Sequence, residues 1–308
     1  MNSGTKGNIS FLQQAEIDLQ KWDQCVSDSA NGLIYGHSFY LSRMAKNWAA
    51  LVLNDYEAVM PLTWNRKYGI RYLYQPPFTA QLGIFSRFPP IDHSLINAFV
   101  TQCEKHFRFC EMRLNYANLL PGLPIRANYV LDLQNSYEQI RRGYRKDLNR
   151  NLKNKKFDTL IYTGSTDYQS VVDLHKNLYG KRFPHVTEID FARFSELCRY
   201  LFQEELAILR EVKDRNSGAL LAAGIFFVEG KRIYNIMPVT LPDGRHTQAN
   251  PFLLDQLIRE YSGKNIILDL EGSEISGIAE FYRKFGSSLE PCPFLRFNHL
   301  PFPIRLLK

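Results

Sequence analysis

Ile267-Leu-Asp-Leu-Glu-Gly-Ser273, followed three residues later by Gly277-Ile-Ala-Glu-Phe-Tyr-Arg-Lys-Phe-Gly286, sets how the rest of the chain must be read. Leu268 and Leu270 alternate with Asp269 and Glu271, so the first part reads as a strand with two carboxylates on one face near its C-terminal end. Gly272-Ser273 turns the chain. A helix from about Ile275 to Phe285 follows, with Gly286 as its stop and a strand from Leu289 to Phe297 beyond it.

Upstream, Asn250 as cap and Pro251 at the first helical position start a helix that runs to Tyr261. Before it come strands at Leu206–Val212, Leu220–Val228 and Arg232–Met237, turning at Asp214–Gly218 and Glu229-Gly230. Helices near Tyr168–Leu178 and Phe191–Phe202 and a strand at Thr159–Tyr162 complete this half. The first half repeats the order in reduced form. It has a strand at Ile9–Leu12, helices at Ile17–Val26 and Ser38–Trp48, and strands at Ala49–Leu53, Tyr56–Trp64 and Ile70–Tyr74. A helix at Ile91–Phe107 and strands at Phe109–Tyr116 and Asn128–Leu133 close it. The expected class is α/β (α+β), with two tandem domains at 1–134 and 135–308, each a mostly antiparallel mixed sheet flanked by helices. The 308 residues suffice for two such cores.

This order resembles the GNAT acyltransferase fold, and two copies in tandem resemble the Fem-type transferases that add amino acids to peptidoglycan precursors. The likeness covers nearly the whole chain. It is carried most specifically by the Asp-bearing strand, the small-residue turn, and the helix ending in an aromatic-basic-Phe-Gly pattern. The basic segment Tyr144-Arg-Lys-Asp-Leu-Asn-Arg-Asn-Leu-Lys153 is similar to the Arg/Lys repeats of the family. The resemblance implies amide formation on an amine acceptor, and the expectation is that the donor binds in the second domain and the acceptor between the domains, the first being the acceptor side.

Two positions depart from the pattern. Where Fem-type members often carry a lysine in this helix, the chain has Tyr282, with Lys284 two residues on. Tyr282 matches instead the GNAT tyrosine that faces the departing thiolate of coenzyme A. A phenol of reference pKa ~10 is protonated at neutral pH and can serve a leaving group. The second departure is the phosphate loop Arg245-His-Thr-Gln-Ala-Asn250. Arg245 fits, but Gln248 and Asn250 stand where glycine or alanine lets the backbone close on a pyrophosphate; Arg245, His246 and the helix dipole could still hold an anion. Tyr282 thus points toward an acyl-CoA such as acetyl-CoA, and the missing glycine loop toward an aminoacyl-tRNA. Asp269 and Glu271 are candidates for the base that takes the ammonium proton.

The chain carries 38 Lys plus Arg against 31 Asp plus Glu, a formal +7. Tyr137–Lys156 holds eight basic and two acidic side chains, a net +6, so nearly all of the excess is local. Ser136 can cap this segment. Ile140, Tyr144, Leu148 and Leu152 give it an apolar stripe, and Arg142, Lys146, Arg150 and Lys153 share another face, which predicts one basic helix that meets an anion. That anion would be a CoA thioester, an aminoacyl-tRNA or a phosphorylated precursor; a non-catalytic module binding RNA or another anion is the alternative. In the first domain Tyr74, Gln75, Phe78 and Gln81 lie in a loop too long for a simple hairpin and are candidates for acceptor binding.

Seven histidines lack H-E-x-x-H spacing and five cysteines form no C-x-x-C pair, so no metal site and no disulfide framework is expected. No G-x-S-x-G elbow or Walker loop occurs. The longest apolar run, Ala219–Val228, is about half of the ~20 residues that span a bilayer, and Met1–Gln20 lacks a signal-peptide core. A cytoplasmic protein without integral membrane contact is the expectation.

Overall fold

The structure is a computed structural model that describes residues 7–272 and 276–307. It divides into two compact units. Unit 1 takes the chain up to Arg126 together with the stretch from Pro291 on, and unit 2 is Ala127–Glu290.

Unit 1 begins with β1 (Ile9–Gln13), α1 (Leu19–Asp28), α2 (Ser38–Met44), β2 (Asn47–Leu53), β3 (Ala58–Lys67) and β4 (Ile70–Leu73). A short β5 (Phe85–Ser86), α3 (His93–His106) and β6 (Phe109–Arg113) follow. Strands β1 to β4 are antiparallel neighbours in sequence order, and β6 joins β4 in parallel through Leu73↔Cys110. Asp18 and Asp92 cap α1 and α3 by accepting backbone N–H groups. The core packs Trp22 edge-on against Trp48 at 5.2 Å, both wholly shielded from solvent.

In unit 2 the elements are β7 (Ile125–Asp132), α4 (Tyr137–Arg142), α5 (Lys146–Asn151), β8 (Leu160–Ser165), α6 (Tyr168–Tyr179), α7 (Glu188–Gln203), β9 (Ala207–Asp214), β10 (Leu220–Glu229) and β11 (Arg232–Thr240). After them come α8 (Pro242–Thr247), α9 (Ala249–Tyr261), β12 (Ile267–Asp269) and α10 (Ser276–Arg283), then β13 (Ser288–Asn298). The order β8-β9-β10-β11 is again antiparallel, with β12 parallel to β11 and β7 antiparallel to β12. β10 reads Leu-Leu-Ala-Ala-Gly-Ile-Phe-Phe-Val because it is buried on both faces.

Two features depart from the sequence reading. The closing strand was expected with the second domain, yet β13 pairs Phe294–Asn298 with Arg113–Phe109 of β6, and the contacts divide the chain near 126 and 290 rather than at 134. An eleven-residue strand is long enough to leave unit 2 and complete the other sheet. The basic segment, expected as one helix, is two, α4 and α5. The chain breaks at Gly143, where a Cβ added at Gly286 would come within 2.8 Å of the Gly143 carbonyl oxygen, and the Arg145 N–H donates to the Lys284 carbonyl at 2.9 Å. The apolar stripe survives the break: Ile140, Tyr144 and Leu148 are buried and Leu152 half-buried. The turn expected at Gly272-Ser273 lies, from Ser273 on, outside the described residues.

Candidate functional site

The site grows from a seam in the unit 2 sheet. β12 runs beside β11 over Arg232↔Ile267, Ile233↔Leu268 and Tyr234↔Asp269, and there the described pairing ends while β11 continues to Thr240. At the same point the β10–β11 register shifts, from Phe226↔Asn235 to Ile225↔Met237, so that Ile236 is an extra residue. A bulge of this kind raises local twist and turns a strand away from its neighbour. Met237–Thr240 stay paired with β10 but have no β12 partner, and Asn235, Pro238 and Thr240 line a cleft.

Downstream of β11, α8 and α9 meet at Gln248, which takes the left-handed conformation (φ 58°, ψ 41°). That is the backbone that favours glycine, and a glutamine holds it here. Gly244 keeps α8 against β10: a Cβ there would sit 1.9 Å from the Leu221 carbonyl oxygen. The glycine-like turn is thus retained although the glycine is not, and Ala249, Asn250 and Pro251 begin a thirteen-residue helix at the cleft mouth.

Two adjoining cavities, of about 540 and 310 Å³, share Tyr179, Arg182, Thr240, Asn250 and Phe281. Asp147, Asn151, Arg245, Gln248 and Lys284 line the outer one, and His175, Asn235, Pro238, Ile278 and Tyr282 the inner one. Tyr282 is buried, and the Asn235 amide donates to its phenol oxygen at 3.4 Å. Burial first, and then the charge of Glu271, push its pKa above the ordinary phenol value, so the proton stays on the oxygen. Tyr179 clamps the end of β11: its hydroxyl donates to the Thr240 carbonyl and accepts from the Thr240 N–H, both at 3.1 Å. Arg182 stacks over the Tyr179 ring at 5.3 Å. His175, one helical turn before Tyr179, has a buried Nδ1 without a hydrogen-bond partner, and burial lowers its pKa to about 4.

The two candidate carboxylates separate. Asp269 is fully buried and bonded to Arg232 Nη1 at 2.6 Å, to the Asn128 amide at 3.0 Å and to the Glu271 N–H at 2.8 Å, while Arg232 also holds Glu290 at 2.7 Å. It braces the closed end of the seam and, like Glu271, lines neither cavity. The strand stops at Asp269, so the alternation does not extend to Glu271. Glu271 takes a left-handed backbone (φ 62°) and places its charge near Tyr282.

Of the expected donor-binding residues, Arg245, Gln248, Asn250 and Lys284 line the outer cavity and His246 lines neither. Lys284 is paired with Asp147 at 2.6 Å, and the hydrogen bond from Lys284 holds the Asp147 carboxyl below the usual range. Arg142 on α4, and Lys146 and Arg150 on α5, whose Asp147, Leu148 and Asn151 border the cavity, are exposed and without an ion pair among the described residues. The acceptor candidates lie in unit 1, where they brace their own loop. The Tyr74 hydroxyl accepts the Lys46 N–H, Gln75 bonds the Thr79 carbonyl and the Arg113 N–H, the Phe78 carbonyl accepts from Tyr40, and Gln81 is fully buried with its oxygen on the Tyr116 N–H.

Sequence reasoning missed His175, Tyr179, Arg182 and Asn235. The i,i+4 spacing of His175 and Tyr179 on an expected helix was the available signal; nothing in the sequence linked that helix to Tyr282. Among the described residues no group of three His, Cys, Asp or Glu could hold a metal, and the five cysteines are buried and in no disulfide.

No protein-family model and no curated protein matches the chain. Solved structures do. The structure of FemX is similar at TM-score 0.63 and 12% identity, covering 97% of this chain and 99% of the other. The C-terminal domain of a putative lysylphosphatidylglycerol synthetase from Agrobacterium fabrum is similar at 0.54 and 13%, covering 94% of each chain. A tandem GNAT protein from the clavulanic acid biosynthesis pathway is similar at 0.52 and 13%, covering 96% and 99%. At such identities the likeness establishes the fold.

Proposed function

From the Fem-like tandem GNAT fold as premise, we propose that the chain transfers an acyl group from an activated, anionic carrier to an amine, forming an amide in the unit 2 cleft. One observation carries the reading: where β11 and β12 part, two adjoining cavities reach from the N-terminus of α9 to the phenol of Tyr282. The amine nitrogen attacks the acyl carbon, and the bond from that carbon to the carrier's sulfur or oxygen breaks. Glu271 takes the proton the ammonium group must lose, and Tyr282 donates to the departing atom. A backbone N–H of Asn235–Met237, on the side that β12 has left, is the oxyanion donor; Pro238 has none and that of Thr240 is held by Tyr179. Arg245, the α9 N-terminus and the exposed Arg142, Lys146 and Arg150 favour the anionic carrier.

The outer cavity and the retained left-handed turn at Gln248 support an acyl-CoA as the carrier. An aminoacyl-tRNA is the second reading, and the raised phenol pKa favours it. A thiolate, whose thiol has a pKa of ~8.5, departs without a proton, whereas a ribose alkoxide needs one from a donor of matching basicity. Calorimetric titration with acetyl-CoA, a longer acyl-CoA and aminoacyl-tRNA, followed by mass detection of an amide product, tests both. Binding of one donor, weakened by Arg245→Ala, is the expected result; no binding by any of the three overturns the proposal.

A further inference from the structure

Unit 1 carries a second cationic surface that the acyl-transfer reading does not use. The β3–β4 hairpin supplies Arg66, Lys67 and Arg71, and the end of α3 with the residues after it supplies Lys105 and Arg108. All five are exposed, and no ion pair joins them to an acid among the described residues. The acids nearest in sequence are engaged elsewhere: Glu104 with His299 and Glu111 with Arg296. Arg66, Arg71, Arg108 and His106 line one surface cavity of about 600 Å³ with Trp64 as its wall. Burial, and after it the charges of Arg71 and Lys105, lower the His106 pKa, as an uncompensated positive field requires.

Beside this cavity lies a mostly apolar one of about 240 Å³, lined by Tyr68, Tyr72, Phe109, Leu300 and Ile304 together with Lys67, and Ile70 lines both. Large apolar side chains stand out from the same two segments: Tyr68 at 80% exposure on the hairpin tip, Phe302 at 81% and Leu306 at 74%. A soluble phosphate or a nucleic acid backbone would satisfy the cations and leave these tips in water. A bilayer interface with anionic headgroups takes both, since aromatic rings and leucines enter the headgroup boundary while Lys and Arg meet the phosphates.

We propose that this face of unit 1 docks on an anionic membrane surface, with the β3–β4 tip and the Leu300–Leu306 segment inserted and the arginine cavity on the headgroup phosphates. Co-sedimentation of the full chain with vesicles of equal parts phosphatidylglycerol and phosphatidylcholine, against pure phosphatidylcholine, tests it. Binding to the anionic vesicles alone, falling with added salt, is expected. Replacing Arg66, Lys67 and Arg71 by Gln should cut the partition coefficient about a hundredfold, at roughly fivefold per charge. Tyr68→Ser with Phe302→Ser should lower it roughly tenfold while leaving the salt dependence unchanged. The pair Arg66→Gln and Lys67→Gln, at the exposed strand end, repeats the test should the triple variant not fold. Equal binding to pure phosphatidylcholine overturns the proposal. So does loss of binding with Arg142, Lys146 and Arg150 replaced instead, or displacement of the chain from vesicles by tRNA at equal phosphate.

Discussion

Units 1 and 2 run the same strand order, four antiparallel strands and then a parallel neighbour, yet they treat the seam before that neighbour in opposite ways. In unit 1 the chain leaving β4 folds back into the seam. Leu82 bridges Leu114 in parallel, its N–H donates to the Arg113 carbonyl at 2.9 Å, and its carbonyl accepts the Asn115 N–H at 2.6 Å. Gln75 and Gln81 accept from the N–H groups of Arg113 and Tyr116 beside it, at 3.0 and 3.2 Å. In unit 2 the chain leaving β11 turns into α8 and α9 instead, held away by the Gly244 contact with Leu221, and the seam stays open down to Tyr282. One topology thus gives a plugged core and a cavity, and the difference lies in a connection rather than in a strand.

The largest effect should come from the closed end of the open seam. Arg232→Met leaves the buried Asp269 and the half-buried Glu290 without their cation, and denaturant unfolding should show a loss of about 3–5 kcal/mol. Adding Asp269→Asn should recover part of it. A loss under about 1 kcal/mol would mean that this network does not hold β12 to β11.

Next is a pH effect specific to the cavity. His175 binds its proton near pH 4 when folded and near 6.5 when unfolded, so between those values the unfolded chain holds more protons. Stability should be complete above pH 6.5 and fall toward pH 4 by on the order of 3 kcal/mol. In His175→Gln the slope across that window should flatten; an unchanged slope would place the titration elsewhere.

Tyr282→Phe keeps the ring and removes the proton, so turnover with the donor identified by titration should fall about a hundredfold with donor affinity unchanged. Equal loss in affinity and turnover would make the phenol a binding group. Gln75→Ala, in the plugged seam, leaves the Arg113 N–H without its acceptor and should cost about 1–3 kcal/mol of stability, with hydrogen exchange rising at Arg113 and donor affinity unaffected. A change in donor affinity there would break the contrast between the two units.

Much of this was legible in the sequence. Periodicity placed the strands and helices to within a few residues, because each amphipathic face is a local record of what it packs against. Two failures share a cause. The basic segment has an unbroken four-residue stripe, and it breaks because Gly286, 143 residues on, brings its backbone against Gly143. Asp269 and Glu271 look equivalent on a strand, and they part because β12 stops and Arg232 claims one of them. In the same way the loop at Tyr74–Gln81 reads as polar and long, and only the N–H groups it meets show it to be a plug.

The sequence by itself determined the element order, the tandem repetition, the local character of the positive charge and the residue, Tyr282, at the floor of the cavity. These are properties of spacing and composition, which side-chain sterics and the hydrophobic effect act on within a few turns of chain. The tertiary structure alone decided which seam opens, which carboxylate is spent on an ion pair, which strand completes which sheet, and that His175, Tyr179 and Asn235 meet Tyr282. Each of those depends on groups far apart in sequence competing for the same buried hydrogen bonds and volume, and that competition exists only once the chain has packed.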